Sequence, residues 1–583
     1  MNNYHKSIVH NLKERNKNRE NQIAFESFGQ KMSYKTFFEA VDNYARAYSE
    51  MGIKDKDIVT LCLAGTLDTV INFFALNEIG AIANIVNPIY MKLNPKKYIN
   101  DTNSKLLVIM DRFYPSLKDS IAQTNVEKIV VSSLTEYSSF LHKMIIKRKN
   151  IKKDDKIPGV EYLSLPEFIK IGENSRLSED IEYQNEASKP ATIVYTSGST
   201  GDPKGVVLSN DGFNNMVKIY DSKNGLGSNE GDRNLVLIPP MYGTGLVHSI
   251  IMPMAFGCNS ILQPIYNPEK FYGDLRKYEP KIVVGSKTHY ISLLDKKNKA
   301  NSLDFLQMPF TGGEPITVSL ANDINDELNH LGSEKLILGY GMSELGTMVM
   351  FNMDIKDRTN ESGILLSDDI KAKIVDPITN TEVSENERGI LKIYTPCHMN
   401  GYYNNSKADD EFFEIDEDGK KWANTEDIAK VDENGVYHVL GRRTDSFVDK
   451  NSEMVYLFDI ENLTEKTPGV RQSEVVALTI DGEKVPVVHI VPQEKVKNKI
   501  ELLNNIKNIC AEELPLNHQP FAYKLRDGFE TSIISGKRDY QALKYETDGY
   551  IIFDKNNKAQ IVNLDTEESK VNNELAKVKK LKL

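Results

Sequence analysis

The chain has 583 residues, of which 40% are hydrophobic and 27% charged, a balance that excludes wholesale disorder and fibrous structure. At about 100–200 residues per domain it is too long for a single core. With 72 Lys and Arg against 83 Asp and Glu the formal net charge is −11, which excludes a surface built mainly to neutralise phosphates, and no nucleic-acid partner is expected.

The first twenty residues alternate charge with short apolar patches and hold no continuous apolar run of the secretory kind, so a cytoplasmic location is expected. From Ser33, a capping residue, Phe37, Phe38, Val41, Tyr44, Ala45 and Tyr48 recur at helical spacing until Gly52. Residues 57–65 then read as a buried strand, 66–80 as a helix closed by glycine, and 81–86 as another strand. This alternation predicts a parallel α/β sheet. Residues 142–156 are basic beside the apolar pair Phe140 and Leu141, a pattern compatible with a solvated loop or with peripheral membrane contact.

Three later apolar runs, ATIVYTSGSTG, FLQMPFTGGE and LILGYGMSE, each empty into a glycine-containing loop. Ligands of open α/β sheets bind outside the carboxyl ends of the strands, so these loops are expected to line one site. Residues 234–257 are the least charged stretch, but Pro239, Pro240, Gly243, Gly245 and Pro253 break it short of a membrane-spanning helix. After residue 443 the pattern restarts with a helix near 456–466, strands in SEVVALTIDG and KVPVVHIVP, and a helix near 498–513, a second domain of ordinary size. The expected organisation is α/β: a large multi-sheet N-terminal domain (1–442), a small mobile α+β C-terminal domain (443–545) and a polar tail (546–583). The four cysteines stand more than a hundred residues apart without metal-ligand spacing and read as reduced, mostly buried thiols.

The run Tyr195-Thr196-Ser197-Gly198-Ser199-Thr200-Gly201-Asp202-Pro203-Lys204-Gly205 places four Ser and Thr hydroxyls, three glycines and a lysine directly after a strand. Glycines admit a ligand close to the backbone, hydroxyls and N–H groups donate to phosphate oxygens, and Lys204 adds charge, so the loop reads as a phosphate cradle. It is not a GxxxxGK[ST] loop, because Lys204 follows Pro203 and no Ser or Thr follows it. Nor does any GxGxxG run occur: Gly225 and Gly227 have Glu230 in the third place, and Gly339 and Gly341 have Glu344.

These residues resemble the signature of the adenylate-forming (AMP-binding) enzymes, the group that includes acyl-CoA synthetases, stand-alone adenylation domains and luciferases. Further matches follow in the family's order over roughly 20–545: Gly312-Gly313-Glu314-Pro315, Tyr340-Gly341-Met342-Ser343-Glu344, Trp422-Ala423-Asn424-Thr425-Glu426-Asp427, Gly441-Arg442-Arg443-Thr444-Asp445 and Ser535-Gly536-Lys537. The resemblance implies an ATP-dependent, AMP-forming acid–thiol ligase acting on a small carboxylic acid. Thr196, Ser197, Gly198, Ser199, Thr200 and Lys204 would hold phosphates. Gly313, Glu314, Pro315, Tyr340, Gly341, Met342 and Ser343 would flank adenine, with Asp427 and Arg442 at the ribose. Glu344 would hold Mg²⁺; Lys537, with Glu344 and Thr196, would be catalytic. Tyr242, Gly243, Ser286, Gly312 and Gly339 would surround the acid.

Bringing a carboxylate to an α-phosphate sets two anions about 4 Å apart, a repulsion of about 4 kcal/mol at an effective dielectric of 20, which fixed cations must offset. The family rotates its small domain between adenylation and thioester formation. The pivot here is Thr444, where relatives often carry Asp or Lys, and Asn451-Ser452 replaces the usual glycine pair beside the pantetheine path. Glu426 and Lys287 also depart, standing where the family has Gly and Pro, and Lys287 could meet a second substrate charge. No acid stands in Pro239–Gly245 to pair with an α-amino group, and Tyr242 points to a fatty or aryl acid. The expected acceptor is coenzyme A; the alternatives are a carrier protein's phosphopantetheine, or an inactive nucleotide-binding relative.

Overall fold

The structure, a computed structural model, describes residues 6–134, 136–138, 156–177, 188–196, 203–263, 268–294, 302–314, 316–353, 362–449, 451, 453–529 and 540–567. The basic segment at 142–155, the terminal residues 568–583, Ser197, Gly198, Ser199, Thr200, Pro315, Ser452 and Lys537 lie outside the described residues.

Two large sheets build the N-terminal lobe. An eight-stranded sheet runs in the spatial order Gly401–Tyr402, Gly205–Ser209, Pro190–Tyr195, Ile82–Ile85, Ile58–Cys62, Leu106–Met110, Lys128–Ser132, Glu161–Ser164. All five residues of Ile58–Cys62 are buried, as expected for a parallel strand covered on both faces. The helix after it, Leu67–Glu78, is buried almost all round and packs on Ile8–Asn16 and Tyr34–Glu50 as well as on the sheet. Its buried polar groups are paired: Tyr44 donates to Asp68 Oδ1 (2.9 Å), Tyr48 to Asn72, and Asn77 Nδ2 to Asn210 (2.9 Å). Ser33 caps Tyr34–Glu50 by accepting from the Thr36 N–H (3.2 Å), and Gly52 at φ +85° ends the turn that follows.

A nine-stranded sheet carries the site. Four neighbouring parallel strands, Ile337–Met342, Met308–Gly312, Ile282–Gly285 and Arg233–Val236, open their carboxyl ends on one side. Gly312 and Gly339 pair across two of them, and a Cβ on Gly312 would stand 2.3 Å from the Gly339 carbonyl oxygen. Only glycine permits that approach.

The uncharged stretch at 234–257 forms a strand and then a short helical run, Gly243–Leu246, Val247–Ile251 and Met252–Ala255, whose middle is a π turn. Pro253 cannot donate to the carbonyl four residues back, and the Ser249 oxygen is instead met by Asn234 Nδ2 (3.0 Å) and Ser260 Oγ (3.3 Å). No described helix is long and apolar enough to cross a membrane. All four cysteines are buried and free.

A five-stranded antiparallel sheet (Lys371–Val375, Gly389–Tyr394, Phe413–Ile415, Lys421–Val431, Tyr437–Arg442) leads to the small C-terminal lobe. There the helices Leu457–Lys466 and Lys499–Glu513 cover a second five-stranded sheet of Val470–Ile480, Glu483–Pro492, Ala522–Leu525, Tyr550–Phe553 and Ala559–Val562. The last two strands correct the sequence reading, in which everything after 545 was a polar tail. Tyr550 is fully buried and Ile551 nearly so, and Asn557 takes the left-handed conformation (φ 60°) in the connecting turn. Each strand is only four residues long, and the polar turn between them hid the pair.

Candidate active site

The glycine loop begins where Pro190–Tyr195 ends. Its base is closed reciprocally: the Thr196 N–H donates to the Lys204 carbonyl (3.0 Å), and the Lys204 N–H to Thr196 Oγ1 (3.2 Å). The Lys204 ammonium lies 4.9 Å from the centre of the Tyr402 ring. The Tyr402 hydroxyl donates to Glu344 Oε1 (2.9 Å). Tyr402 thus joins the loop's lysine to the motif carboxylate, and burial together with Glu344 pushes its phenol up, so it remains a donor. Glu344 stands in a single 3₁₀ turn, Ser343–Leu345, after the strand Ile337–Met342, and its carbonyl accepts from the Met399 N–H (2.9 Å). With Oε1 taken, its other oxygen suits a hard divalent cation.

Asp427 is 5% exposed and receives the Tyr340 hydroxyl on Oδ2 (2.6 Å) and Arg442 Nε on Oδ1 (2.9 Å). Burial pushes its carboxyl up against the opposing pull of Arg442 and Tyr340. Three motifs spread over about a hundred residues of sequence meet there. Glu426, in the place of the family's glycine, adopts φ 56°, a left-handed conformation that costs an ordinary L-residue roughly 1–2 kcal/mol. The chain keeps the glycine conformation without the glycine.

Gly312, Gly313, Gly339, Tyr340 and Gly341 line one pocket together with Met252, Ile282, Val284, Met308, Phe310 and Met348. Gly243 packs on Ser343, whose Oγ would lie 2.8 Å from an added Cβ. Tyr242 is half-buried beside the glycine loop rather than in the pocket wall; its hydroxyl accepts from Asn87 Nδ2 (3.1 Å), and nearby Tyr90 donates to the Thr196 carbonyl (3.2 Å). Ser286 follows the pocket strand but turns to His289, its N–H donating to Nδ1 (3.0 Å). Met342 ends the motif strand without lining the pocket.

Lys287 corrects an expectation. Its ammonium, buried, lies 3.7 Å from the mostly covered Glu314 carboxylate, so its charge is met inside the protein rather than by a substrate. The sequence reading also passed over Tyr220, His248, Thr347 and Tyr402. His248 sits in the uncharged stretch, whose sequence signal is its apolarity, and Tyr402 lies in GYYNN, which carries no periodic or charge signal.

The family described as AMP-binding enzyme matches residues 12–403. Among curated proteins, the long-chain-fatty-acid–CoA ligase of Escherichia coli O157:H7 is 25% identical over 543 residues, covering 91% of this chain and 92% of that one. The mitochondrial medium-chain acyl-CoA ligase ACSF2 of Bos taurus is 24% identical over 471 residues, covering 78% and 74%. Among solved structures, the anthranilate CoA ligase AuaEII in complex with anthranoyl-AMP superposes with a TM-score of 0.78 at 19% identity, over 93% of this chain and 97% of that one. A benzoate CoA ligase from Burkholderia xenovorans LB400 gives 0.76 at 16% identity, over 92% and 99%. With the family matched over most of its length and the same two-lobed fold, the chain belongs to the AMP-binding enzymes.

Proposed function

We propose that this chain is an ATP-dependent acid–thiol ligase acting on a fatty or aryl acid, with coenzyme A as acceptor. The substrate carboxylate oxygen attacks the α-phosphorus of ATP, the bond to the β-phosphate oxygen breaks, and pyrophosphate leaves. The thiol sulfur then attacks the acyl carbon, AMP departs, and the thiol proton passes to solvent.

The observation that carries this reading is the shared wall of the pocket. The backbone of Gly313, Tyr340 and Gly341, which the motifs assign to the nucleotide, lines the same pocket as Gly312, assigned to the acid, and six apolar side chains. An acid lying among Met252, Met308 and Phe310 would present its carboxylate to the nucleotide loops. Lys204 and the Thr196 hydroxyl serve the phosphates, Asp427 and Arg442 the ribose, and Tyr340 the adenine. Glu344, oriented by Tyr402, would hold Mg²⁺, which when bound would offset negative charge on the phosphates. Lys537 is the cation assigned to the carboxylate and α-phosphate. No general base is required for the first step, since a carboxylate is ionised at pH 7.

The test is a screen of fatty, aryl, dicarboxylic and amino acids for pyrophosphate release and AMP release, with and without coenzyme A. Release of AMP that requires both an acid and coenzyme A is expected. Transfer only to a phosphopantetheinylated carrier protein would replace the acceptor, and no acid-dependent release would reject the reading.

A further inference from the structure

The apolar pocket holds a built polar relay. The Met348 N–H donates to His248 Nε2 (3.3 Å), and Thr347 Oγ1 lies 2.5 Å from the same nitrogen. A nitrogen that accepts from a backbone N–H carries no proton of its own, so in the neutral ring the hydrogen sits on Nδ1. Burial keeps the ring neutral by pushing its pKa down to about 4. Nδ1–H therefore donates to the Tyr220 oxygen (2.8 Å), and the Tyr220 O–H hydrogen is left over. Tyr220 is 6% exposed and, with His248 and Thr347, lines the pocket; with the ring in this tautomer, its hydroxyl hydrogen meets no acceptor among the described residues.

Thr347 is itself held at φ 103°, a region that β-branched residues avoid and that persists only where the surroundings enforce it. Gly341 makes the fit possible: a Cβ there would stand 1.7 Å from the Thr347 carbonyl oxygen. Strain is thus retained at the residue that fixes the histidine. A pocket for plain hydrocarbon would need none of this, because a buried donor facing an alkyl chain loses its hydrogen bond when water leaves.

From this geometry, and resting on the ligase reading above, we infer that the acid carries a hydrogen-bond acceptor on its acyl portion, an ether, keto or hydroxyl oxygen, which is received by the Tyr220 hydroxyl. Tyr220 is a specificity-determining residue, and His248 and Thr347 are positioning residues that aim its proton. A site built to donate to a substrate atom discriminates against the analogue that lacks it far more sharply than an apolar wall discriminates by size.

The experiment uses the full chain with saturating Mg-ATP and coenzyme A. Straight-chain acids are compared with counterparts of equal length in which one methylene is replaced in turn by an ether oxygen or a carbonyl, reading kcat/KM for acid-dependent AMP release. At one position of the series the oxygenated acid is expected to exceed the hydrocarbon by roughly tenfold or more, and in Tyr220→Phe that ratio is expected to fall to near one. Equal or lower rates for the oxygenated acid at every position overturn the inference, as does a ratio that survives in Tyr220→Phe. The wild-type ratio decides the matter even where the variant folds poorly. Turnover of none of the acids, oxygenated or not, overturns the ligase reading itself and this inference with it.

Discussion

At the residue scale, the site depends on side chains that hold other side chains. Tyr402 is the clearest case, since its hydroxyl reaches Glu344 (2.9 Å) while its ring lies under Lys204. A hydrogen bond to a charged group is worth about 1.5–3 kcal/mol where both partners are held. Tyr402→Phe keeps the ring and loses the hydroxyl, so the Mg²⁺ concentration giving half-maximal activity is expected to rise at least several-fold, with little change in the KM for the acid. A metal titration that superposes on wild type would remove Tyr402 from that role.

His289 offers a test of a buried neutral group. It is 5% exposed, and burial lowers its pKa from 6.5 to about 4. Between those two values the unfolded chain carries a proton there that the folded chain does not, so this group's contribution to stability is lost as pH falls from 6.5 toward 4. In His289→Asn that loss is absent. The difference in unfolding free energy between variant and wild type, followed by urea denaturation, should change by up to about 1.4 kcal/mol per pH unit inside that window and stay flat above it. Parallel curves across the window would contradict the assignment.

At the element scale, the strands ending in glycine loops were legible because each combines an apolar run with residues of unusual backbone freedom. Pro190–Tyr195, Met308–Gly312 and Ile337–Met342 lie where the periodicity puts them. The latter two are neighbours in one sheet, whereas the first belongs to another, and this division was not legible because strand order depends on contacts remote in sequence. The Lys287–Glu314 pair and the Tyr220–His248–Thr347 relay escaped for the same reason: each joins residues 27 to 127 positions apart that share no motif. Four-residue strands in polar surroundings give too few alternations to read, so the hairpin at 550–562 reads from sequence as polar tail. That hairpin is structural. Ending the chain at residue 545 removes the buried Tyr550 and Ile551 from the small lobe's sheet, and at roughly 1.5–3 kcal/mol per buried large apolar side chain this should cost several kcal/mol. A thermal or urea midpoint for the C-terminal lobe equal to that of the full chain would contradict the hairpin's place in the sheet.

At the scale of the whole molecule, the two lobes meet through ion-pair, hydrogen-bond and aromatic contacts. Arg388 in the antiparallel sheet pairs with Asp459 in the helix Leu457–Lys466 (2.7 and 3.0 Å) and lies over the rings of Tyr456 and Phe458, and Thr317 bonds Glu465. The Arg388–Asp459 pair is about a third exposed, the kind of ion pair that holds an orientation weakly. The short turn Arg443–Asp445, containing Thr444, connects the lobes. The N-terminal lobe brings Thr196, Lys204, Glu344, Tyr340 and Asp427 to one side, and the proposed chemistry adds one cation from the C-terminal lobe, Lys537.

Acid-dependent exchange of labelled pyrophosphate into ATP tests that division of labour most directly, because it reports the first step without any thiol. The full chain should catalyse exchange only when its acid is present, and Lys537→Ala should slow it by the roughly 10²–10³ that losing one transition-state donor costs. Exchange that proceeds without an acid, or at the same rate in Lys537→Ala, would contradict the account.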